Sequence, residues 1–190
     1  AAAVNTLCFR EEGDIYGDNT DGVGLVIDVE ENLGLRLRGR RLLLLGAGGA
    51  ARGVLQPLLE AGPKQLVIAN RTAEKARQLA VAFAGYGPVE AVGLDHLSGC
   101  HFDLVVNATS ASLSGETPPL PDALFAANAL AYDMMYGDEP TVFMQWAKDH
   151  GAEQVSDGLG MLVEQAAASF YLWNEIKPQT VEVIRLVRQM

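Results

Sequence analysis

Four consecutive leucines, Leu42-Leu43-Leu44-Leu45, lead without a break into Gly46-Ala47-Gly48-Gly49-Ala50-Ala51. An apolar run that ends in glycines reads as a buried strand turning sharply into a helix. Glycine there leaves no side chain in front of the backbone N–H groups at the helix start, and the positive helix end favours an anion. The pattern Gly-x-Gly-x-x-Ala is a variant of the dinucleotide fingerprint, with a small last residue for close helix–strand packing. Glycine turns also join strands to helices for steric reasons alone, so the turn by itself permits a phosphate site without requiring one.

The next apolar run, Leu66-Val67-Ile68-Ala69, closes on Asn70-Arg71-Thr72, with Lys75 one helical turn further on. In an NAD site this second strand ends in Asp or Glu, about 20 residues beyond the glycines, to bind the ribose 2′-hydroxyl. A carboxylate would repel a 2′-phosphate, whereas a guanidinium, an ammonium and two neutral hydrogen-bonding side chains would hold it. The residues therefore point to NADP(H). The alternative, that Arg71 and Lys75 are ordinary solvated charges, sits badly with two cations at a helix N-terminus that has no anion to face.

Strand and helix patterns alternate along the chain without internal repeats. Short extended pieces are expected at 6–10 and 14–16 around a Glu11-Glu12-Gly13 turn, and a helix at 21–33. Strands follow at 41–45, 65–69, 89–92, 102–107 and 129–133, with helices at 49–61 and 73–84 and a proline-rich loop at 115–121. The last third reads as helices at 141–150, 158–173 and 180–188. This alternation predicts an α/β fold: a Rossmann-like, doubly wound, mostly parallel sheet with helices on both faces. Residues 1–20 read as a linking or edge segment and 21–190 as the nucleotide-binding domain with its C-terminal helices.

At 190 residues and 49% apolar content the chain can bury a real core. Its formal net charge of -10 speaks against a nucleic-acid partner. No window reaches the ~20 apolar residues of a membrane span, which makes the cytoplasm the expected location. Cys8 and Cys100 lack metal or redox spacing and read as free thiols, and no metal site is expected. Oligomeric state leaves no mark in the sequence.

Ligands in such sheets lie beyond the carboxyl ends of the strands. Asn107-Ala108-Thr109-Ser110 could line a pyrophosphate and ribose or simply cap a loop, and Met134 could face a nicotinamide ring or the core. In Asp157-Gly158-Leu159-Gly160-Met161, the residues Gly158, Met161 and Gln165 fall on one helical stripe beside an apolar face of Leu159, Leu162, Ala166, Phe170 and Trp173. Gln165 is then a surface residue or a ligand contact. Gly17-Asp18-Asn19-Thr20-Asp21-Gly22 is either a helix cap with first-turn acids or a site for a polyhydroxylated substrate with an Asp near a proton-transfer group.

Together, Asn5-Thr6, Gly17 to Gly22, Gly46 to Ala50, Asn70-Arg71-Thr72, Asn107 to Ser110 and Asp157 to Met161 resemble shikimate dehydrogenase, in the family's order and over the whole chain. The resemblance implies reduction of 3-dehydroshikimate to shikimate with NADPH, a step towards the aromatic amino acids, by a Lys–Asp pair. It assigns the catalytic Asp to Asp21 and substrate contacts to Asn5, Tyr136 and Gln165. To the cofactor it assigns Gly46, Ala47, Gly48, Gly49, Ala50, Asn70, Arg71, Thr72, Lys75, Thr109, Met134, Gly158 and Met161. Family members carry their catalytic Lys in a preceding domain, and Lys64, Lys75, Lys148 and Lys177 do not stand in that context. The chain is therefore expected to be the NADP-binding portion, able to bind NADP(H) but not to turn over shikimate; whether Ala1 and Ala2 are native is open. An NAD-preferring quinate/shikimate paralogue would place an acid near Arg71, a glutamyl-tRNA reductase domain would not explain Gly17 to Gly22, and a non-catalytic NADP-binding module is the remaining alternative.

Overall fold

A computed structural model describes residues 3–9, 13–111 and 117–189. Its centre is a six-stranded sheet of β3 (Arg41–Leu45), β4 (Gln65–Asn70), β5 (Val89–Gly93), β6 (Phe102–Asn107), β7 (Phe125–Asp133) and β8 (Gln154–Ser156). The spatial order is β5-β4-β3-β6-β7-β8 and every pairing is parallel. The order reverses between β3 and β6, which places the switch point at Leu45 and Asn107. The predicted doubly wound fold is the one observed.

Alternate residues of the central strands feed two cores. Leu42, Leu44, Leu66, Ile68, Leu104 and Val106 face one core, with α2 (Gly49–Glu60) and α3 (Ala73–Phe83) packed over them. Leu43, Leu45, Val67, Val105 and Ala131 face the other, covered by α4 (Val142–Asp149) through Phe143 and Ala147. Two-sided burial explains why these strands read as continuous apolar runs.

A further helix, α1 (Asp21–Ile27), runs on through a π-helical turn at Asp28–Asn32 and lies between α2 and α5 (Leu159–Asn174). Its glycines make this possible. A Cβ on Gly22 would stand 2.6 Å from Pro57 Cγ, and one on Gly24 would stand 2.8 Å from Met161 O and 2.7 Å from Gln165 N. Helix α6 (Val181–Val187) closes the chain.

The structure departs from the sequence reading in places. β7 starts at Phe125 rather than 129, because Asn128 takes φ 59° and the pairing with β6 slips between Phe102 and Leu104. β8 has no counterpart among the expected strands; three residues are too few to show a period. The two N-terminal pieces are β1 (Thr6–Phe9) and β2 (Ile15–Asp18), paired antiparallel with each other. Arg10 and the Glu11-Glu12 part of the turn between them, Ala1 and Ala2, and residues 115 and 116 of the proline-rich loop lie outside the described residues.

Candidate active site

At the tip of β3, Gly46 takes φ +105°, and a Cβ on it would press to 3.0 Å from Ala108 O. Only glycine fits there without strain. Gly48 is the N-cap of α2 and gives that helix no side-chain cap. A Cβ on Gly48 or Gly49 would meet nothing within 4 Å. The first turn of α2 therefore has open space beside it, which fits a phosphate at the helix start. That space is a cleft of about 390 Å³ lined by residues 46–50, Asn70, Thr109, Met134 and their neighbours Ala108, Ser110 and Met135.

A second hollow shares Gly46, Asn70, Thr109 and Ser110 and adds Arg71 with Leu94, Thr117 and Pro118. Asn70 Nδ2 donates to Thr72 O at 2.9 Å, which folds the β4 tip back on itself and leaves Arg71 exposed. Arg71 and Lys75 form no ion pair among the described residues. Two unpaired cations at the start of α3 suit an anionic ligand. Among the described residues there is no cluster of three metal-ligating side chains, and no helix is long and apolar enough to cross a membrane.

The tips of β6 and β7 are braced by a pair that the sequence reading passed over. Asn107 and Asp133 are fully buried, and Asn107 Nδ2 donates to Asp133 Oδ1 at 3.2 Å. Thr109 Oγ1 donates to Asn107 Oδ1 at 2.7 Å, while Thr141 Oγ1 donates to Asp133 Oδ2 at 2.7 Å. This chain of bonds presents Thr109 and Met134 to the cleft. Its only sign in the sequence is a polar residue closing each apolar strand. Gly158 supports the same tip from behind: its N–H donates to Met135 O at 3.0 Å, and a Cβ on it would collide with Met134 O.

Asp21 opens α1, and Asn5 Nδ2 donates to its Oδ1 at 2.8 Å. Gly53 of α2, which sequence reasoning missed, lets the cluster approach: a Cβ there would lie 3.2 Å from both Asp21 Oδ2 and Asn19 Oδ1. The carboxylate thus sits one turn along the same helix whose N-terminus forms the glycine cradle. Gln165 faces α1 across Gly24, and its Oε1 is buried without a hydrogen-bond partner among the described residues.

The expected site residues Thr72, Lys75, Met161 and Tyr136 line neither of the two hollows at the strand tips. Met161 is 6% exposed, packs in the core under β7 and lines neither hollow, although its N–H donates to Tyr132 Oη at 3.2 Å. Tyr136 is half exposed and borders a different surface hollow with Asp157 and Arg188. The apolar face expected from Leu159 to Trp173 is only partly buried. α5 instead turns Leu159, Met161 and Glu164 inward, whereas Phe170 and Trp173 stay exposed.

Behind the site lies a buried acid. Asp28, 3% exposed, accepts from Tyr132 Oη at 2.7 Å and from Asn32 Nδ2 at 2.9 Å, and Asn32 also donates to Glu164 Oε1 at 3.0 Å. Burial raises the Asp28 carboxyl above its ordinary value of 3.8 against the lowering effect of those two donors, and raises the Tyr132 hydroxyl as well. Gly160 leaves room for that carboxyl; a Cβ on it would collide with the Asp28 side chain.

Family models described as shikimate/quinate 5-dehydrogenase and as the shikimate 5′-dehydrogenase C-terminal domain match residues 28–114 and 158–188. The chain is 59% identical over 189 residues to a shikimate dehydrogenase (NADP(+)) of Cellvibrio japonicus, covering 100% of this chain and 68% of that protein. It is 56% identical to a protein of the same name from Thioalkalivibrio sulfidiphilus, over 99% of this chain and 69% of that one. Among solved structures, an Ael1 enzyme from Pseudomonas putida superposes with a TM-score of 0.87 at 48% identity, covering 97% of this chain and 67% of that one. Shikimate 5-dehydrogenase from Thermus thermophilus, in complex with NADP(H) and shikimate, superposes with a TM-score of 0.81 at 34% identity, covering 98% and 68%.

Proposed function

This chain belongs to the shikimate dehydrogenase family, and on that premise we propose that the cleft at its strand tips holds NADP(H) and that Asp21 serves the reduction of 3-dehydroshikimate to shikimate. The observation that carries the reading is the open glycine cradle at Gly48 and Gly49 with an exposed, unpaired Arg71 at the next strand tip. An acid there would repel a 2′-phosphate; a guanidinium attracts it.

NADPH, when bound, supplies the hydride. The N–H groups at the start of α2 hold the pyrophosphate, and Asn70, Arg71, Thr72 and Lys75 hold the 2′-phosphate. Thr109 and Met134 border the nicotinamide end, with Gly158 and Met161 shaping the tip from behind rather than touching the ligand. Asp21, fixed by Asn5, is the carboxylate partner of the group that protonates the developing alkoxide oxygen. Gln165 offers a buried, unpaired acceptor of the kind a hydroxylated ring satisfies. With Asn5 it forms the substrate side, and Tyr136, half exposed beyond the β7 tip, is assigned to that side by its place in the family's motif order. We place the protein in the cytoplasm, where its soluble substrate and cofactor are found.

Among the described residues no lysine forms an ion pair with Asp21, where the family's catalytic lysine would act. The 190-residue chain should therefore bind NADP+ well ahead of NAD+ and show essentially no shikimate oxidation. Calorimetric titration with both nucleotides, followed by an absorbance assay with shikimate, tests both parts. Equal affinity for NAD+ would overturn the cofactor assignment, and robust turnover would overturn the division of the acid–base pair.

A further inference from the structure

Behind the Asn5–Asp21 pair lies a cluster of hydroxyls to which no role has been given. Thr6 is 1% exposed and Thr20 is 2% exposed, and both reach Ser169 on α5. Thr6 Oγ1 lies 2.6 Å from Ser169 Oγ and 3.0 Å from Asn5 Oδ1. Thr20 Oγ1 lies 3.2 Å from each of the same two atoms. Thr20 N–H donates to Asn5 Oδ1 at 3.0 Å, and Ser169 Oγ donates to Gln165 O at 3.0 Å.

The backbone donor fixes the orientation of the Asn5 amide. A backbone N–H can only donate, so the Asn5 atom facing Thr20 N is the oxygen, and its NH2 must point the other way, at Asp21. The three hydroxyls carry one proton each. Thr6 Oγ1 and Thr20 Oγ1 both stand as donors to Asn5 Oδ1 beside the Thr20 N–H. Ser169 Oγ lies against both threonine hydroxyls and reaches Gln165 O, and the short Thr6–Ser169 contact can take its proton from either side.

We propose that Thr20, with Thr6 and Ser169, is a positioning device: it sets the Asn5 amide so that its NH2 can only face Asp21, and it ties that pair to the α5 backbone at Gln165. The inference rests on the reading of Asp21 and Gln165 as active-site groups. It makes the two sides of the substrate pocket one unit, because Trp173 Nε1, one turn beyond Ser169, also donates to Leu7 O at 3.0 Å and clamps β1 to the same helix. None of these hydroxyls touches a reacting atom.

The test is the Asn5 side-chain NH2 pair in 15N–1H spectra of the full 190-residue chain, with no nucleotide or shikimate present. In the parent protein the two protons should be well separated, because one of them is held by Asp21 Oδ1. Thr20→Val keeps the shape and the N–H but removes the hydroxyl, and should narrow the separation, while Thr20→Ser restores it. Ser169→Ala, on a half-buried face, removes the hydroxyl that both threonines contact, should shift the same pair, and serves if Thr20→Val does not fold. An Asn5 pair unchanged in Thr20→Val or in Ser169→Ala, or not restored by Thr20→Ser, overturns the proposal. Because the readout needs no ligand, failure to bind NADP+ would unseat the functional reading and leave this result to stand by itself.

Discussion

The Tyr132 hydroxyl donates to Asp28 Oδ2 at 2.7 Å and accepts from Met161 N at 3.2 Å, so one phenol joins β7, α1 and α5 in the core. Tyr132→Phe keeps the ring and deletes both bonds, leaving a buried carboxylate and a buried N–H each short of a partner. Such losses cost about 1–3 kcal/mol each in buried sites. The variant should melt several degrees lower, at about 2–4 °C per kcal/mol for a chain of this size, with nucleotide affinity little changed; thermal denaturation followed by circular dichroism checks this.

The raised Asp28 carboxyl gives stability a pH dependence of known sign. Its folded value lies above 3.8, so its contribution is fully present below the unfolded value and is lost as pH rises through the folded one. Asp28→Asn removes that titration. Urea unfolding from neutral pH down towards 4 should therefore show the parent protein gaining on the variant as the pH falls; a difference that stays flat would mean that Asp28 does not titrate differently on folding.

Gly46 and Gly48 should separate folding from binding. Gly46→Ala forces a Cβ into a φ of +105° and against Ala108 O, a strain of about 1–3 kcal/mol that lowers the melting temperature. Gly48→Ala has an extended backbone and open space around the new methyl, so its melting temperature should hold. That methyl occupies the phosphate's approach, and NADP+ affinity should fall by about tenfold or more, the loss of one charge-assisted hydrogen bond. Melting curves with and without NADP+ read both effects at once.

Arg71→Ala should weaken NADP+ by a similar factor and leave NAD+ where it was, because only the 2′-phosphate distinguishes them. Lys75→Ala should act in the same direction but less, since a flexible ammonium is a poorer match for phosphate than a guanidinium fork. Competitive titration of the two nucleotides measures the ratio directly.

What can be read from the sequence is local chemistry. The glycine cradle and the β4 tip depend on backbone groups and side chains within a few residues of each other, and both stand where the pattern places them. Gly53 beside Asp21, and Asn107 against Asp133, involve elements far apart in the chain, and nothing nearby distinguishes them from ordinary small or polar residues. The helical stripe through Gly158, Met161 and Gln165 is real, but periodicity cannot say which face of α5 turns inward; Tyr132 and α1 decide that, and Met161 goes into the core. Asn128, in a left-handed conformation, hides the first four residues of β7.

Helix α1 meets its neighbours at two glycines, Gly22 against α2 and Gly24 against α5, with no side chain of its own as a spacer. The position of Asp21 is consequently a matter of axis-to-axis distance, with little slack for rotamers to absorb. A tilt of α2 would be passed on to the Asp21 carboxylate almost undiminished, as through a wedge driven between two walls.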